Sequence, residues 1–283
     1  MNIGIVGQGF VGSAIREGLK GFHDVYTYDL RPEIRNCESL VALVEKSKII
    51  FACVPTPMRQ DGRCDTRLIS KVVHDIDRAS AALETENKKI VVVKSTVPPG
   101  TTDRLDRECL YVDVMFSPEF LTEANSFNDF KNQTRIILGG PRPATSIVKT
   151  MFRKAFPQVP IIKTGSRTAE TVKYFTNCFL STKVSFANEM KQICDSLGID
   201  YDKVVEYTLC DTRLGKTHWS VPGPDGHLGF GGHCFPKDLR AMISIASDLG
   251  VTTTILESVW EKNSEVREVK DWEEMKGRAI SED

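Results

Sequence analysis

The N-terminal residues combine a strand, a glycine turn and a helix in an order that few folds accept. Residues 2–6 form a short apolar run, and Gly7, Gly9 and Gly12 follow it before a helical pattern. The first glycine makes a tight turn, the second lets a pyrophosphate reach the backbone, and the third allows the helix to pack closely on the strand. Because a helix N-terminus attracts phosphate, this order predicts a dinucleotide site.

Asp29 strengthens this interpretation. It follows a second apolar run, residues 25–28, about 20 residues after the glycines, where a carboxylate binds the ribose hydroxyls of a dinucleotide. A carboxylate there repels the 2′-phosphate of NADP, so the sequence favours NAD. Arg31 and Arg35 lie close by and weaken that preference.

Composition excludes several classes of protein. The chain has 283 residues, enough for two domains, with 37 basic and 38 acidic side chains. We therefore expect no nucleic-acid or membrane partner, and no run of about 18 apolar residues could span a bilayer. The N-terminus enters a strand without a charged leader, which predicts a cytoplasmic protein. The eight cysteines include no CxxC pair, so we expect free thiols and no metal site.

Apolar runs alternate with helical stretches as far as residue 162, which predicts an α/β fold with a parallel, doubly wound, Rossmann-like sheet. Ligands of such sheets bind beyond the carboxyl ends of the strands. The segments that leave three of the strands, residues 54–57, 94–100 and 116–123, carry hydroxyls, carboxylates and prolines. Prolines can simply end strands. Three such loops at one sheet edge favour the rim of an active site.

The pattern becomes helical after Gly165, which we take as a domain boundary between residues 1–165, the NAD-binding domain, and residues 166–283, an all-α domain. The first long helix of this all-α domain carries Lys173 and Asn177 on one face, since they are four residues apart. A solvated lysine is the simpler explanation for Lys173. A second long helix is expected from about 252 to the end, with a charged, solvated or frayed portion at 265–283.

The segment 229–238, GFGGHCFPKD, places Cys234 on a glycine-rich turn close to Lys237 and Asp238. A nearby lysine favours the thiolate, so Cys234 is a candidate nucleophile. The simpler alternative is a tight turn before a helix, with Cys234 as a small buried hydrophobic residue.

Together these motifs resemble the UDP-glucose/GDP-mannose dehydrogenase family. The resemblance runs from residue 1 to about 265 and rests on GQGFVG, VPTP, KSTVPPGTT, SPEFLTE, TVKYFTNCF, DTRLG and GFGGHCFPKD, which occur in family order. It implies an NAD-binding domain followed by an all-α central domain whose long helix forms a homodimer. Family members continue with a second Rossmann-like domain, which we expect this chain to lack.

The resemblance also implies a reaction, the oxidation of the C6 alcohol of a nucleotide-linked hexose to the acid with two NAD+. UDP-glucose is the expected substrate, the reaction belongs to polysaccharide biosynthesis, and Cys234 would form a thiohemiacetal and then a thioester. Lys173 and Asn177 would stabilise the oxyanions. Thr96 and Asp238 would hold and activate a water. Glu119 and Glu123 match carboxylates implicated in the hydrolysis.

Binding residues are carried over by the same resemblance. The cofactor would contact Gly7, Gly9, Phe10, Val11, Gly12, Asp29, Pro55, Thr56, Thr96, Glu123 and Lys237. The substrate would contact Phe120, Leu121, Lys173, Asn177, Arg213, Phe230 and Gly231, with Arg213 reaching the partner subunit's site. Two departures bear on recognition: Ile34 stands where the family has a basic residue, and residues 222–227 form an insertion before the cysteine turn.

Two alternatives stay open. A two-electron dehydrogenase of the 6-phosphogluconate or β-hydroxyacid type also has a Rossmann domain and a long helix, but it leaves Cys234, Glu119 and Glu123 without a role. A non-catalytic, NAD-binding part of a split assembly is the other. The number of NADH molecules formed per sugar separates all three.

Overall fold

The computed structural model describes residues 1–83 and 88–282. The chain divides into two compact units: the first comprises Met1–Thr56 and Thr66–Lys173, and the second comprises Pro57–Asp65 and Tyr174–Asp283. The division falls inside the long helix, somewhat after the boundary we take from the sequence at Gly165.

The first unit is built on a seven-stranded sheet in the order β2-β1-β3-β4-β5-β6-β7. The strands are β1 (Asn2–Val6), β2 (Asp24–Tyr28), β3 (Ile49–Ala52), β4 (Lys89–Val93), β5 (Val112–Phe116), β6 (Ile136–Gly139) and β7 (Ile161–Thr164). Six helices accompany them: α1 (Phe10–Leu19), α2 (Leu40–Lys46), α3 (Arg67–Ala82), α4 (Thr101–Glu108), α5 (Ser126–Lys131) and α6 (Arg142–Ala155). The predicted doubly wound α/β fold is confirmed.

The sheet is not parallel throughout, which corrects the prediction. Strands β5 and β6 are antiparallel, with Phe116 opposite Gly139, whereas β6 and β7 are parallel to each other. A parallel crossover needs a connection of a dozen or more residues that returns the chain to the starting edge. The segment between β5 and β6 instead holds the site loop and the short α5. It stays at the edge of the sheet where β5 ends, so β6 begins at that edge and runs in the opposite direction.

The sheet is buried on both faces, as parallel sheets are. In β3, Ile50 and Ala52 belong to one apolar cluster, while Ile49 and Phe51 belong to the cluster on the opposite face. Helix α3 packs in the first cluster through residues such as Val73. Such two-sided burial fixes the strand register and therefore the positions of the loops that leave the carboxyl ends.

The second unit is helical. Its elements are most of α7 (Ser166–Leu197), then α8 (Tyr201–Thr208), α9 (Phe235–Asp248) and α10 (Thr254–Val266), with 3₁₀ turns at Thr212–Leu214 and Asp271–Glu274. The predicted second long helix is therefore shorter than expected, because α10 ends at Val266.

The expectation that residues 265–283 are solvated or frayed is wrong. Trp272 and Ala279 are fully buried, and Trp272 packs on Trp260 with ring centroids 5.9 Å apart. The Met58 N–H donates a backbone hydrogen bond of 2.8 Å to the Ala279 carbonyl oxygen. The charged composition of this segment conceals the apolar side chains that anchor it. Within residues 1–83 and 88–282, no helix is long and apolar enough to cross a membrane.

Candidate functional site

The residues that the sequence singles out fall in both units. The N-terminal glycine turn (residues 7–12) belongs to the first unit and joins β1 to α1. A Cβ on Gly12 would overlap the Gly7 carbonyl oxygen, which explains the need for glycine there. A Cβ on Gly9 would meet no atom of the described residues within 4 Å. The turn is therefore packed tightly at Gly12 and open at Gly9, as an approaching pyrophosphate requires.

Asp29 is tied to this turn. Its Oδ2 accepts a hydrogen bond of 2.7 Å from the Gln8 N–H, and its Oδ1 accepts one of 3.1 Å from Arg31 Nε. Burial raises the pKa of Asp29, but the hydrogen bonds from Arg31 and Gln8 outweigh it and lower the pKa below its usual value. The carboxylate is thus ionised and held beside the glycines, where the dinucleotide prediction places it. Arg31, which weakened the preference for NAD, is engaged by the same carboxylate.

Two loops at the carboxyl ends of neighbouring strands are joined by hydroxyl groups. Thr56 Oγ1 donates to the Thr96 carbonyl oxygen at 2.7 Å, and Ser95 Oγ donates to the Val54 carbonyl oxygen at 2.5 Å. Thr56 and Thr96 are buried, whereas Pro55 is exposed. The hydroxyls that the sequence assigned to a site rim therefore also hold that rim together.

Lys173 and Glu119 form a buried ion pair in the first unit. Lys173 Nζ lies 2.8 Å from Glu119 Oε1, and both side chains are less than a tenth exposed, at 4% and 7%. Glu119 Oε2 also accepts a hydrogen bond of 2.6 Å from the Leu121 N–H. Burial raises the pKa of Glu119, but the Lys173 charge outweighs it and the pKa is lowered. The explanation of Lys173 as a solvated surface lysine is thereby excluded.

Lys94 is a site residue that the sequence analysis quoted but did not assign. Its ammonium group donates to the Pro118 carbonyl oxygen at 3.0 Å, immediately before Glu119. Burial lowers the pKa of Lys94 to about 8. The signal in the sequence was its position directly after β4, at the start of the 94–100 loop.

Phe120 lies between two cations. The Arg135 guanidinium is 4.1 Å from the centre of its ring, and Lys173 Nζ is 5.6 Å from it. Phe120, Leu121, Glu119 and Lys94 line a cavity of about 320 Å³ together with residues of α1 and α5. Arg135 was missed from the sequence, which gives no sign of a contact that depends on the return of the chain into β6.

Glu170 was also missed. It is fully buried on α7, and its carboxylate accepts hydrogen bonds from the N–H groups of Gly100 at 2.6 Å and Thr102 at 2.8 Å. Burial raises its pKa, although these hydrogen bonds act against that. It caps the start of α4 and so fixes the loop that carries Thr96. Its spacing of three residues from Lys173 was the available signal.

In the second unit, Asn177, Asp238 and Lys237 form a buried cluster. Asn177 Nδ2 donates to Asp238 Oδ2 at 2.6 Å, and Lys237 forms an ion pair with the other oxygen of Asp238. Burial lowers the pKa of Lys237, but the charges of Asp238 and Cys234, and then of Cys64, outweigh it and raise the pKa. Lys237 is therefore protonated near pH 7 and lies near enough to Cys234 for the two groups to interact electrostatically.

Cys234 occupies the N-cap position of α9 and is only partly buried. A helix N-terminus and a neighbouring lysine both favour a thiolate. Other cysteines differ: burial raises the pKa of Cys53, Cys109 and Cys178 to about 12, so they are neutral thiols near pH 7. Cys234 thus lies at a helix N-terminus, a position that none of these three occupies.

The remaining predicted residues differ in exposure. Phe230 is buried and packs edge-on against Phe235, with ring centroids 5.9 Å apart. Glu123 is exposed on the loop that also carries Glu119. Arg213 is exposed and paired with Asp211, with Nε 2.9 Å from the carboxylate. Within the described ranges, no group of three or more His, Cys, Asp or Glu side chains is placed to hold a metal ion.

These features are those of a nicotinamide-dependent dehydrogenase class, and comparison with known proteins narrows the class to a family. The model of the NAD-binding domain of the UDP-glucose/GDP-mannose dehydrogenase family matches residues 20–156, and the model of its central domain matches residues 167–265. A UDP-glucose 6-dehydrogenase of Rickettsia typhi is 30% identical over 93% of this chain and 67% of its own length. The chain belongs to the UDP-glucose/GDP-mannose dehydrogenase family.

Solved structures agree with this assignment. A UDP-glucose dehydrogenase of Pyrobaculum islandicum superposes with a TM-score of 0.83 at 30% identity, covering 93% of this chain and 68% of that one. A 3-hydroxyisobutyrate dehydrogenase of Mycobacterium tuberculosis has a TM-score of 0.74 at 16% identity, covering 93% of this chain and 92% of that one, which shows a shared fold. The predictions of the family and of an NAD-binding domain are confirmed. The chain spans between about half and two thirds of the curated relatives it matches.

Proposed function

We propose that the protein oxidises the C6 alcohol of a UDP-hexose, UDP-glucose first among them, to the uronate in two successive steps. NAD+, when bound, accepts one hydride from C6 in each oxidation. The observation that carries the proposal is the placement of Cys234 at the start of α9, where it is partly accessible and near enough to the Lys237 cation to interact electrostatically. A two-electron oxidation of an alcohol needs no such thiol.

The first oxidation removes a proton from the C6 hydroxyl and a hydride from C6, which leaves an aldehyde. Cys234 then adds its sulfur to the aldehyde carbon, and the resulting thiohemiacetal loses its hydroxyl proton and a second hydride to become a thioester. Water cleaves the thioester, which releases the acid and returns the thiol. Removal of the nucleophile therefore blocks the second half of the reaction, whereas the first oxidation can still proceed.

Charged and polar groups near the reacting carbon have separate parts in this proposal. Lys173 and Asn177 stabilise the oxyanions of the alkoxide and thiohemiacetal. Thr96 and Asp238 hold the water for hydrolysis, with Glu119 or Glu123 as the proton carrier. The ion pair of Lys173 with Glu119 supports these roles, since a proton that the carboxylate takes up from the reacting sugar would leave the ammonium group free to bind an oxyanion.

Binding residues follow the same proposal. NAD+ binds at Gly7, Gly9, Phe10, Val11, Gly12 and Asp29, with Pro55, Thr56, Thr96, Glu123 and Lys237 along its remaining length. The sugar nucleotide contacts Phe120, Leu121, Phe230 and Gly231. The cavity beside Phe120 and Leu121 supports this assignment.

We further propose a cytoplasmic homodimer formed through α7. Phe175, Phe179 and Phe186 are exposed on this helix, and exposed aromatic residues in a row indicate an interaction surface. Arg213 then reaches the site of the partner subunit. Sedimentation analysis of the wild type and of Phe179→Asp tests the dimer, which the variant should dissociate.

The test of the reaction is a count of NADH formed per sugar consumed, with UDP-glucose, GDP-mannose and UDP-N-acetylhexosamines as substrates. We expect two NADH per UDP-glucose and a uronate product. Cys234→Ser should yield no free acid, while Cys210→Ser, at an exposed cysteine, should behave as the wild type. One NADH per sugar with no acid identifies the two-electron alternative. Normal acid formation by Cys234→Ser would remove sulfur from the mechanism.

A further inference from the structure

Side chains satisfy backbone groups of the cysteine turn (residues 228–234). The Gly229 N–H donates to Asn188 Oδ1 at 3.1 Å, and the Phe230 N–H donates to Asn263 Oδ1 at 2.7 Å. Asn263 Nδ2 in turn donates to the Phe230 carbonyl oxygen at 3.0 Å. Because buried backbone groups need partners, these amides define the conformation of the turn on its first side.

On its second side the turn is held by an ion pair of the buried Arg267 with the partly exposed Asp271, beyond the family's central domain, which matches as far as residue 265. The Gly232 N–H donates to Asp271 Oδ2 at 2.9 Å, while Arg267 Nη2 lies 3.0 Å from Asp271 Oδ1. The Arg267 side chain is 1% exposed and also donates to Asp225 at 2.7 Å. We call Arg267 and Asp271 the clamp.

The turn and the clamp fit each other closely. A Cβ built on Gly231 would overlap both the Arg267 guanidinium and the Asp271 carboxylate. Glycine is therefore needed at this position because the two side chains lie so close to its Cα.

The segment that carries the clamp is anchored on the far side as well. Trp272 is buried against Trp260, as described above, and Ala279 is buried. The Met58 N–H donates to the Ala279 carbonyl oxygen at 2.8 Å, and the Ser281 N–H donates to the Met58 carbonyl oxygen at 2.7 Å. Asp271 thus lies between the buried Arg267 and the buried Trp272 and Ala279, so its carboxylate is held in place against Gly232.

We propose that Arg267 and Asp271 are positioning residues that hold the Cys234 sulfur at the start of α9 and against Lys237. This positioning role rests on the proposed function, in which Cys234 is the nucleophile. Gly232 is two residues before Cys234, so fixing the Gly232 N–H fixes the direction in which the chain enters the helix. A thiolate gains stabilisation from a helix N-terminus and a lysine only while its sulfur stays near both.

The test is the pH dependence of Cys234 alkylation by iodoacetamide, followed for each cysteine peptide by mass spectrometry and without any sugar. Besides Lys237 and Asp238 on α9, the titratable Cys64 faces the same lysine, so it is monitored in parallel. In Asp271→Ala we expect a higher pH midpoint for Cys234 and about tenfold slower alkylation at neutral pH, the factor for one lost hydrogen bond to a charged group.

Asp271→Asn keeps an oxygen for the Gly232 N–H and should lie between Asp271→Ala and the wild type. The matched control is Glu273→Ala, an exposed acidic residue of the same 3₁₀ turn, which should leave the midpoint unchanged. Thermal melting accompanies each variant. If Asp271→Ala does not fold, Asp271→Asn carries the test, because it preserves shape and one acceptor.

An unchanged midpoint in both Asp271 variants would overturn the proposal, as would a midpoint shift of the same size in Glu273→Ala. Faster alkylation with an unshifted midpoint would also overturn it, since that result describes a loosened turn. The outcome is separable from that of the sugar assay. A shifted midpoint in a protein that forms no acid from any sugar would support the clamp and refute the proposed reaction.

Discussion

The two glycine turns of this protein look alike in sequence but differ in what approaches their backbone. The N-terminal turn is open at Gly9, where a Cβ would meet no atom of residues 1–83 and 88–282 within 4 Å. The cysteine turn is filled at Gly231, where a Cβ would overlap Arg267 and Asp271. One turn leaves space for a ligand, whereas the other is occupied by the protein's own side chains.

This difference shows that glycine content alone does not identify a ligand loop. Both turns use glycine to bring another group close to the backbone. In the first unit that group is expected to be a pyrophosphate at the start of α1. In the second unit that group is the clamp, and Cys234 is the reactive group on the turn.

Gly231→Ala should have the largest effect on stability. Inserting a methyl group into a filled site typically costs about 1–3 kcal/mol, and here Arg267 and Asp271 must both move. Urea unfolding should show the loss, while NAD+ affinity should stay close to that of the wild type. A variant as stable as the wild type would mean that the clamp yields freely and that the turn is not filled in solution.

Gly9→Ala should have a smaller effect on stability but a clear effect on NAD+ binding. Its φ of −71° suits alanine and the space is open, so stability should stay within about 0.5 kcal/mol. The added methyl group should weaken NAD+ binding by about tenfold or more, a cost of at least about 1.4 kcal/mol. Calorimetric titration measures this. Gly21→Ala, also in open space, is the control, and equal losses in both would contradict a phosphate site at Gly9.

The smallest expected effect concerns acid. The pKa of Asp29 is lowered, with burial opposing and the hydrogen bonds from Arg31 and Gln8 prevailing. A lowered pKa contributes stability that is present above the ordinary aspartate value of 3.8 and lost as pH falls through the folded-state value. Asp29→Asn should therefore lose less stability than the wild type between neutral pH and about pH 3, as measured by urea unfolding.

Asp225 provides the comparison at the cysteine turn. Burial raises its pKa, but the hydrogen bond from Arg267 prevails and lowers it. Its side chain is 45% exposed against 12% for Asp29, so solvent screens it more. Asp225→Asn should therefore change the acid dependence less than Asp29→Asn. The reverse order would indicate that the cysteine turn, and not the N-terminal turn, limits stability in acid.

Much of this architecture could be predicted because local patterns carry it. Each of the seven strands lies where an apolar run occurs, and the site loops follow directly from strand ends. Lys173 and Glu119 could be singled out as site residues but not paired, since 54 residues separate them and no periodicity reports such a contact. Arg135 escaped notice for the same reason, whereas Lys94 and Glu170 had local signals, a position directly after β4 and a spacing of three residues from Lys173.

The sequence by itself determined the positions of the strands, the N-terminal glycine turn and the family, because these depend on residue type and spacing along the chain. Tertiary structure alone decided the antiparallel entry of β6, the burial of the segment after α10 and the ion pair beneath Gly231. These features depend on which distant side chains meet. In the sequence Arg267 and Asp271 look like solvated charges. Only their contacts with the cysteine turn show that they support its conformation.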